Sequence, residues 1–253
     1  MSLRKLIYHP SGRAGEYANK GYAANLFRGC THGCRYCFSP SILHMSREEF
    51  HASVTTVPDV LERLKADMKR IGKVKEPVFL CFTCDPYCVD ADTRITRKAI
   101  EIILKSGNTV NILTKGGMKA TRDFDLLSSV PGNKIGATLT FSATQSSRKW
   151  EPKAEDPYNR LEMLREAKEK WIQTWVSIEP VIIPIQSLEI MSWAMPYTDE
   201  FKIGKWNHDK RANEIDWKDF ALKAIDLMEC NNKQYMLKKE LLAQLQIPWK
   251  ASK

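Results

Sequence analysis

No run of about 18 consecutive apolar residues occurs in the chain, so the sequence offers no membrane-spanning helix. The opening Met1-Ser2-Leu3-Arg4-Lys5-Leu6-Ile7 has too short an apolar stretch for a secretory leader. Glycine, at 12 of 253 residues, is far too scarce for a collagen-like chain, and no internal repeat or low-complexity tract stands out. Nor is the chain poor enough in apolar residues to be disordered, since 43% are hydrophobic and 27% charged. Cysteine is too sparse and odd in number for a disulfide scaffold, with 7 in a mid-sized chain. Reduced thiols in a cytoplasm, available to a metal, are the expectation. Acidic residues are outnumbered 30 to 39 by Lys and Arg, and the net charge of +9 suits a polyanionic partner.

What the chain does have is an alternation of short β-rich runs and longer amphipathic ones. Strands are predicted over 23–27, 78–82, 109–113, 135–141, 174–181 and 201–203. Between them, Val57, Val60, Leu61, Leu64, Met68 and Ile71 share one helical face, as do Ile95, Ala99, Ile100, Ile103 and Leu104. Further helices are predicted over 123–129, 160–171, 188–194 and 217–228. About six βα units imply an α/β protein with a parallel sheet, either open and doubly wound or curled into a partial barrel. In both, the loops after the strands form the active face. Cys30, Asp85, Lys115, Ser142, Glu179 and Asn207 each end or follow a predicted strand. One domain over 22–230 is expected, with an N-terminal extension over 1–21 and a helical C-terminal extension over 231–253.

The strongest local signal is Gly29-Cys30-Thr31-His32-Gly33-Cys34-Arg35-Tyr36-Cys37. Thiolates at this spacing suit an iron–sulfur cluster or zinc. Structural zinc sites want four protein ligands, commonly in paired knuckles, and this loop offers three and no partner knuckle. Three thiolates on a four-iron cubane leave one iron open to an outside chelate, such as the amine and carboxylate of S-adenosylmethionine. Gly29 and Gly33 would let the backbone wrap closely.

These residues resemble the radical S-adenosylmethionine superfamily, and within it the spore photoproduct lyase-like (DNA repair photolyase-like) branch. The similarity runs from Ala24-Asn25-Leu26-Phe27 through the cysteine loop to Phe38-Ser39-Pro40. It continues in Thr83-Cys84-Asp85-Pro86-Tyr87, Leu113-Thr114-Lys115, Thr121-Arg122-Asp123, Trp150-Glu151-Pro152 and Arg160-Leu161. The resemblance implies a partial (β/α)6 TIM-like barrel of parallel strands with outer helices. It implies a 4Fe-4S cluster on Cys30, Cys34 and Cys37, and reductive cleavage of S-adenosylmethionine to a 5′-deoxyadenosyl radical. Tyr36 would lie against the adenine, Asp85 with Thr83 would meet the methionyl amine, and Lys115 the methionyl carboxylate. Thr140 or Ser142 would reach the ribose or carboxylate. A nucleic-acid substrate and a flavodoxin- or ferredoxin-type electron donor would be the partners. RNA or peptide modification, and a non-catalytic metal-binding module that docks nucleic acid, are the other readings.

Spore photoproduct lyases carry a hydrogen-donating cysteine three residues before the Asp, where this chain has Phe82. Cys84 is the candidate donor here, expected on the same side as Phe82 and opposite Cys81. A second metal site from Cys81, Cys84 and Cys88, with Cys230, and a plain core role for Cys81, are the alternatives. Asn207 or His208 could bond adenine or substrate, and Gly204 could admit either closely. Trp171 and Trp175 are expected in the core. Arg94, Arg97, Lys98, Lys115, Lys119 and Arg122 are candidates for a phosphate track.

Overall fold

Short apolar runs between turn residues form the strands of the computed structural model, which describes residues 5–245. In chain order these are β1 (Ile7–Tyr8), β2 (Ala23–Ala24), β3 (Phe27–Arg28), β4 (Thr55–Thr56), β5 (Val78–Leu80), β6 (Val110–Thr114), β7 (Lys134–Thr138), β8 (Gln173–Val181), β9 (Glu200–Lys205) and β10 (Gln234–Leu237). Eight of them make one sheet in the order β1-β2-β5-β6-β7-β8-β9-β10. β1 is antiparallel to β2, and every later pairing in that sheet is parallel. β3 and β4 form a separate antiparallel ribbon.

The helices are α1 (Gly12–Ala18), α2 (Ser39–Ile42), α3 (Arg47–Ala52), α4 (Val60–Ile71), α5 (Thr93–Lys105), α6 (Phe124–Ser128), α7 (Thr144–Trp150), α8 (Pro157–Glu169), α9 (Pro184–Ala194), α10 (Trp217–Cys230) and α11 (Lys239–Leu242). Acidic caps set several starts: the carboxylates of Asp92, Asp156 and Asp216 accept backbone N–H groups of α5, α8 and α10. Among the described residues no helix is long and apolar enough to cross a membrane.

Strand alternation divides the core in two. Val78 and Leu80 of β5 pack with the helices, while Phe79 faces the other side with Ala23, Tyr17 and Trp175. That inner side is closed by α1. Its Tyr17 hydroxyl donates to Glu179 Oε2 at 2.6 Å, the Lys238 ammonium donates to the same oxygen at 2.7 Å, and Glu16 Oε2 accepts the Lys239 N–H at 3.1 Å. Residues at the two ends of the sheet therefore meet through α1, which gives the sheet the form of a partial barrel.

Three expectations change. The predicted first strand breaks into β2 and β3, which pair with different partners. The segment expected to be a helical C-terminal extension instead begins with β10, because Gln234–Leu237 finds an open edge on β9 and extends the sheet; helix follows only at α11. Residues 246–253 lie outside the described residues. Trp171 is 94% exposed rather than core, because it stands beyond the end of α8 in a left-handed turn with φ +61°. Trp175 is buried as expected, its indole N–H donating to Asn111 Oδ1 at 2.7 Å.

Gly136 of β7 lies under that indole, where a Cβ would sit 2.5 Å from the ring. Gly136→Ala is expected to cost about 1–3 kcal/mol in denaturant unfolding, the usual penalty for overpacking a filled interior. An unchanged midpoint and slope would show that Trp175 has room to move.

Candidate active site

The cysteine loop, residues 29–38, has neither helix nor strand, so neighbouring elements must fix its shape. Gly29 holds φ +81° and passes so close to α3 that a Cβ would lie 2.1 Å from Ser53 O. The Cys30 N–H donates to Phe50 O at 3.2 Å, and His51 Nδ1 lies 2.7 Å from Cys30 O. Arg47 of α3 donates to Cys34 O at 3.2 Å and to Cys37 O at 2.9 Å. On the other flank, the Arg35 N–H donates to Trp150 O at 2.8 Å and the Lys153 N–H to His32 O at 3.1 Å.

Two buried carboxylates complete the hold. Glu151 accepts from the Tyr36 hydroxyl and, at 2.6 Å, from Arg160, with both members of the ion pair fully buried. Arg160 is further tied to Thr138 O at 2.9 Å and Glu155 O at 2.8 Å. Burial works against the Glu151 charge, but Arg160 and Lys115 outweigh it and hold its carboxyl below the usual range. Lys115 lies with its ammonium 5.6 Å from the centroid of the Tyr36 ring. Burial opposes its charge too, yet Cys34 and Glu151 keep its pKa above the ordinary value.

Asp85 is the second anchor. Its Oδ2 lies 2.9 Å from His32 Nε2 and accepts the Lys115 N–H at 2.7 Å. Its Oδ1 accepts from the Thr114 hydroxyl at 2.7 Å and the Tyr87 N–H at 2.9 Å. A carboxylate offers about four lone-pair positions, and Asp85 uses them within the protein. Asp85 therefore anchors the cysteine loop to the end of β6. Burial would raise its pKa, but His32 and the Lys115 and Thr114 donors depress it well below the usual range.

The remaining expected residues divide. Tyr36, Lys115 and Cys34 come together around Glu151. Thr140 is fully buried, and its hydroxyl has no partner among the described residues. Ser142 donates to Glu189 of α9. Thr83 follows β5, its N–H bonded to Asn25 Oδ1 at 3.1 Å. Asn207 instead ties its amide to Lys205 O at 2.9 Å and to Glu240 Oε2 at 3.2 Å, linking the loop after β9 to α11. Gly204 lies against the Glu179 side chain, 2.6 Å from where its Cβ would be.

Cys84 is not placed as a donor at the active face. β5 ends at Leu80, so strand alternation no longer governs residue 84; Cys84 and Cys81 both pack on the helix side, while Phe82 turns inward. Cys88 lies against Cys30, and Cys230 is exposed at the end of α10, so these cysteines do not converge on a second metal site. The proposed phosphate track is largely neutralised: Arg97 pairs with Asp123 and Asp125, Arg94 with Asp92, and Arg122 with Asp123.

His32, Glu151 and Arg160 hold the site together although they were not among its expected residues. Their signals were a His between two cysteines, a carboxylate inside Trp150-Glu151-Pro152, and an Arg on the apolar face of α8.

A 4Fe-4S cluster fits this donor set. Cys30 and Cys34 are buried and Cys37 is partly exposed. No three His, Cys, Asp or Glu side chains among the described residues converge on a single-ion site. Burial pushes the Cys34 thiol up to about 12, so iron would have to displace its proton. The Thr31 hydroxyl and His51 Nε2, beside Cys30, are buried without a partner among the described residues.

The sequence profile of the Radical SAM superfamily matches residues 24–192. The chain belongs to this superfamily. Among curated proteins it is 30% identical over 201 residues to an uncharacterized protein of Acidianus two-tailed virus, covering 71% of this chain and 62% of the relative. It is 25% identical over 169 residues to one of Mycobacterium tuberculosis, covering 64% of this chain and 49% of that protein. The chain thus spans about half to three-fifths of these relatives' lengths. A spore photoproduct lyase structure aligns with a TM-score of 0.70 at 13% identity, over 93% of this chain and 80% of that one. Streptococcus suis SuiB bound to S-adenosylmethionine aligns with a TM-score of 0.62 at 11% identity, over 88% and 48%. The superfamily implies a 4Fe-4S cluster and S-adenosylmethionine as cofactors.

Two outcomes follow. Glu151→Gln should cost about 3–5 kcal/mol in unfolding of the metal-free chain, because Arg160 is left buried without a counter-charge; a loss below 1 kcal/mol would mean that water replaces the carboxylate. For Asp85, the depressed native pKa means that the unfolded chain binds more protons in acid. Its contribution is complete above about pH 4 and lost as pH falls. Asp85→Asn should flatten the acid limb of stability against pH, and an unchanged limb would remove Asp85 as its source.

Proposed function

We propose that this superfamily member acts on a nucleic acid, with a reaction resembling that of spore photoproduct lyase. The observation that carries the cofactor half of the reading is the loop of Cys30, Cys34 and Cys37, three thiols held beside a half-buried lysine. These cysteines would hold the 4Fe-4S cluster. With S-adenosylmethionine bound, the cluster supplies one-electron cleavage of the sulfonium to a 5′-deoxyadenosyl radical. Lys115, kept cationic, would take the methionyl carboxylate. Tyr36 would lie against the adenine, and the unpartnered Thr140 hydroxyl would bond the ribose or carboxylate, with Ser142 and Thr83 at the rim. Burial of the thiols keeps water from the cluster. A flavodoxin- or ferredoxin-type protein in a reducing cytoplasm would provide the electron.

The substrate half rests on charge and on the rings beyond β7 and β9. Trp150 lies 5.5 Å from Trp206, and the Arg211 guanidinium lies 5.0 Å and 4.9 Å from their centroids. The two rings meet edge to face and the guanidinium is also paired with Asp209 at 2.6 Å, so the group offers aromatic surface for an unpaired base more than a free cation for its phosphate; the chain carries a net charge of +9. One aligned structure is spore photoproduct lyase with a dinucleoside spore photoproduct, and another is SuiB with a precursor peptide, so a peptide is the rival substrate.

Anaerobically reconstituted chain, given dithionite and S-adenosylmethionine, should release 5′-deoxyadenosine, and Cys34→Ala should reduce the product to background. A fully loaded cluster yielding none would defeat the reading. Deuterium from labelled oligonucleotides should then enter 5′-deoxyadenosine; entry from labelled peptides alone would transfer the assignment to peptide modification.

A further inference from the structure

We propose that Cys88 is a second ligand for the corner of the cluster that Cys30 holds, able to carry that iron when Cys30 does not. The proposal rests on the cluster reading above. The two thiols share one buried group with Phe50, with Cys37 at its edge. Cys88 is 1% exposed.

The contact is built by the backbone and does not wait for metal. Cys88 N–H donates to Asp85 O at 3.4 Å, and Ala91 N–H donates to Cys88 O at 3.1 Å. The Asp85 carboxylate lies 2.9 Å from the imidazole of His32 in the cysteine loop. The segment after β5 is therefore pinned against that loop, with a thiol on each side of the joint. A cysteine side chain has a single torsion before its sulfur, so a thiol packed in the same buried group as a ligand thiol can approach the same metal by a rotamer change. Thiolates are the ligand type iron–sulfur clusters take.

The other thiols do not share this arrangement. Cys81 and Cys84 pack in the main core away from the cysteine loop, and Cys230 is exposed at the end of α10. Cys88 has no part in holding S-adenosylmethionine in the reading above, which leaves it free for this one.

Iron and sulfide counts on anaerobically reconstituted variants test the idea. Wild type and Cys88→Ala should load equally. Cys30→Ala should keep roughly half or more of the wild-type iron, while Cys34→Ala and the double variant Cys30→Ala/Cys88→Ala fall to background. If Cys30→Ala is as empty as the double variant, the proposal is overturned. Wild type that takes no iron would instead sink the cluster reading itself, so the two failures are distinct. A second measurement needs no substitution. A trivalent arsenical bridges neighbouring thiols, and peptide masses of the treated metal-free chain should include a Cys30–Cys88 bridge. Bridging confined to Cys81 and Cys84 would overturn the proposal even if Cys30→Ala failed to fold.

Discussion

Everything at this site depends on giving a fixed shape to a loop that has no regular structure of its own. A buried carboxylate does much of that. Glu151 leaves water completely, and a lone carboxylate so placed would be intolerable. It is therefore obliged to keep Arg160 and the Tyr36 hydroxyl in place. Arg160 in turn reaches the end of β7 through Thr138 O. One charge thus links the cysteine loop, α7, α8 and the sheet, and none of the four can shift without exposing or unpairing it.

Asp85 repeats the device on the opposite flank with different chemistry. Its partners are an imidazole, a hydroxyl and two backbone N–H groups. Because it spends its acceptors on the loop and on β6, it sets the position of Lys115 through the main chain, while the Lys115 side chain turns toward Tyr36 and Cys34. The two anchors therefore fix the thiols and the half-buried cation relative to one another before any cofactor arrives. Pre-organisation of this kind lowers what binding would otherwise have to spend on ordering.

What the sequence disclosed was local, and what it concealed was contact between distant segments. The spacing of Cys30, Cys34 and Cys37 lies within eight residues, and the strand–helix alternation is periodic, so the loop's character and six parallel strands could be read directly. Asp85 does follow a strand, as read, yet the contacts it makes depend on His32, 53 residues earlier, which no local pattern reveals. Cys84 was assigned by strand alternation, but the strand stops at Leu80. β10 went unread because Gln234-Tyr235-Met236-Leu237 contains no β-branched residue and becomes a strand through the open edge of β9. Trp171 looked like core because it continues the apolar stripe of α8, but the helix has ended before it.

The likeness to spore photoproduct lyase is one of architecture, and the residues around β5 depart from that branch's pattern. Where that branch carries a donating thiol, this chain has Phe82, stacked on Phe79 at 4.0 Å between centroids. A ring fills the place and cannot donate a hydrogen atom. Cys84 and Cys81 face the helices, and Cys88 faces the cysteine loop, so no thiol replaces the missing one from the inner side of β5. A substrate radical formed here would have to be quenched by another group or returned its hydrogen from 5′-deoxyadenosine. The loops after β7 and β9 hold a second aromatic group, in which Trp150 and Trp206 meet edge to face under the Arg211 guanidinium.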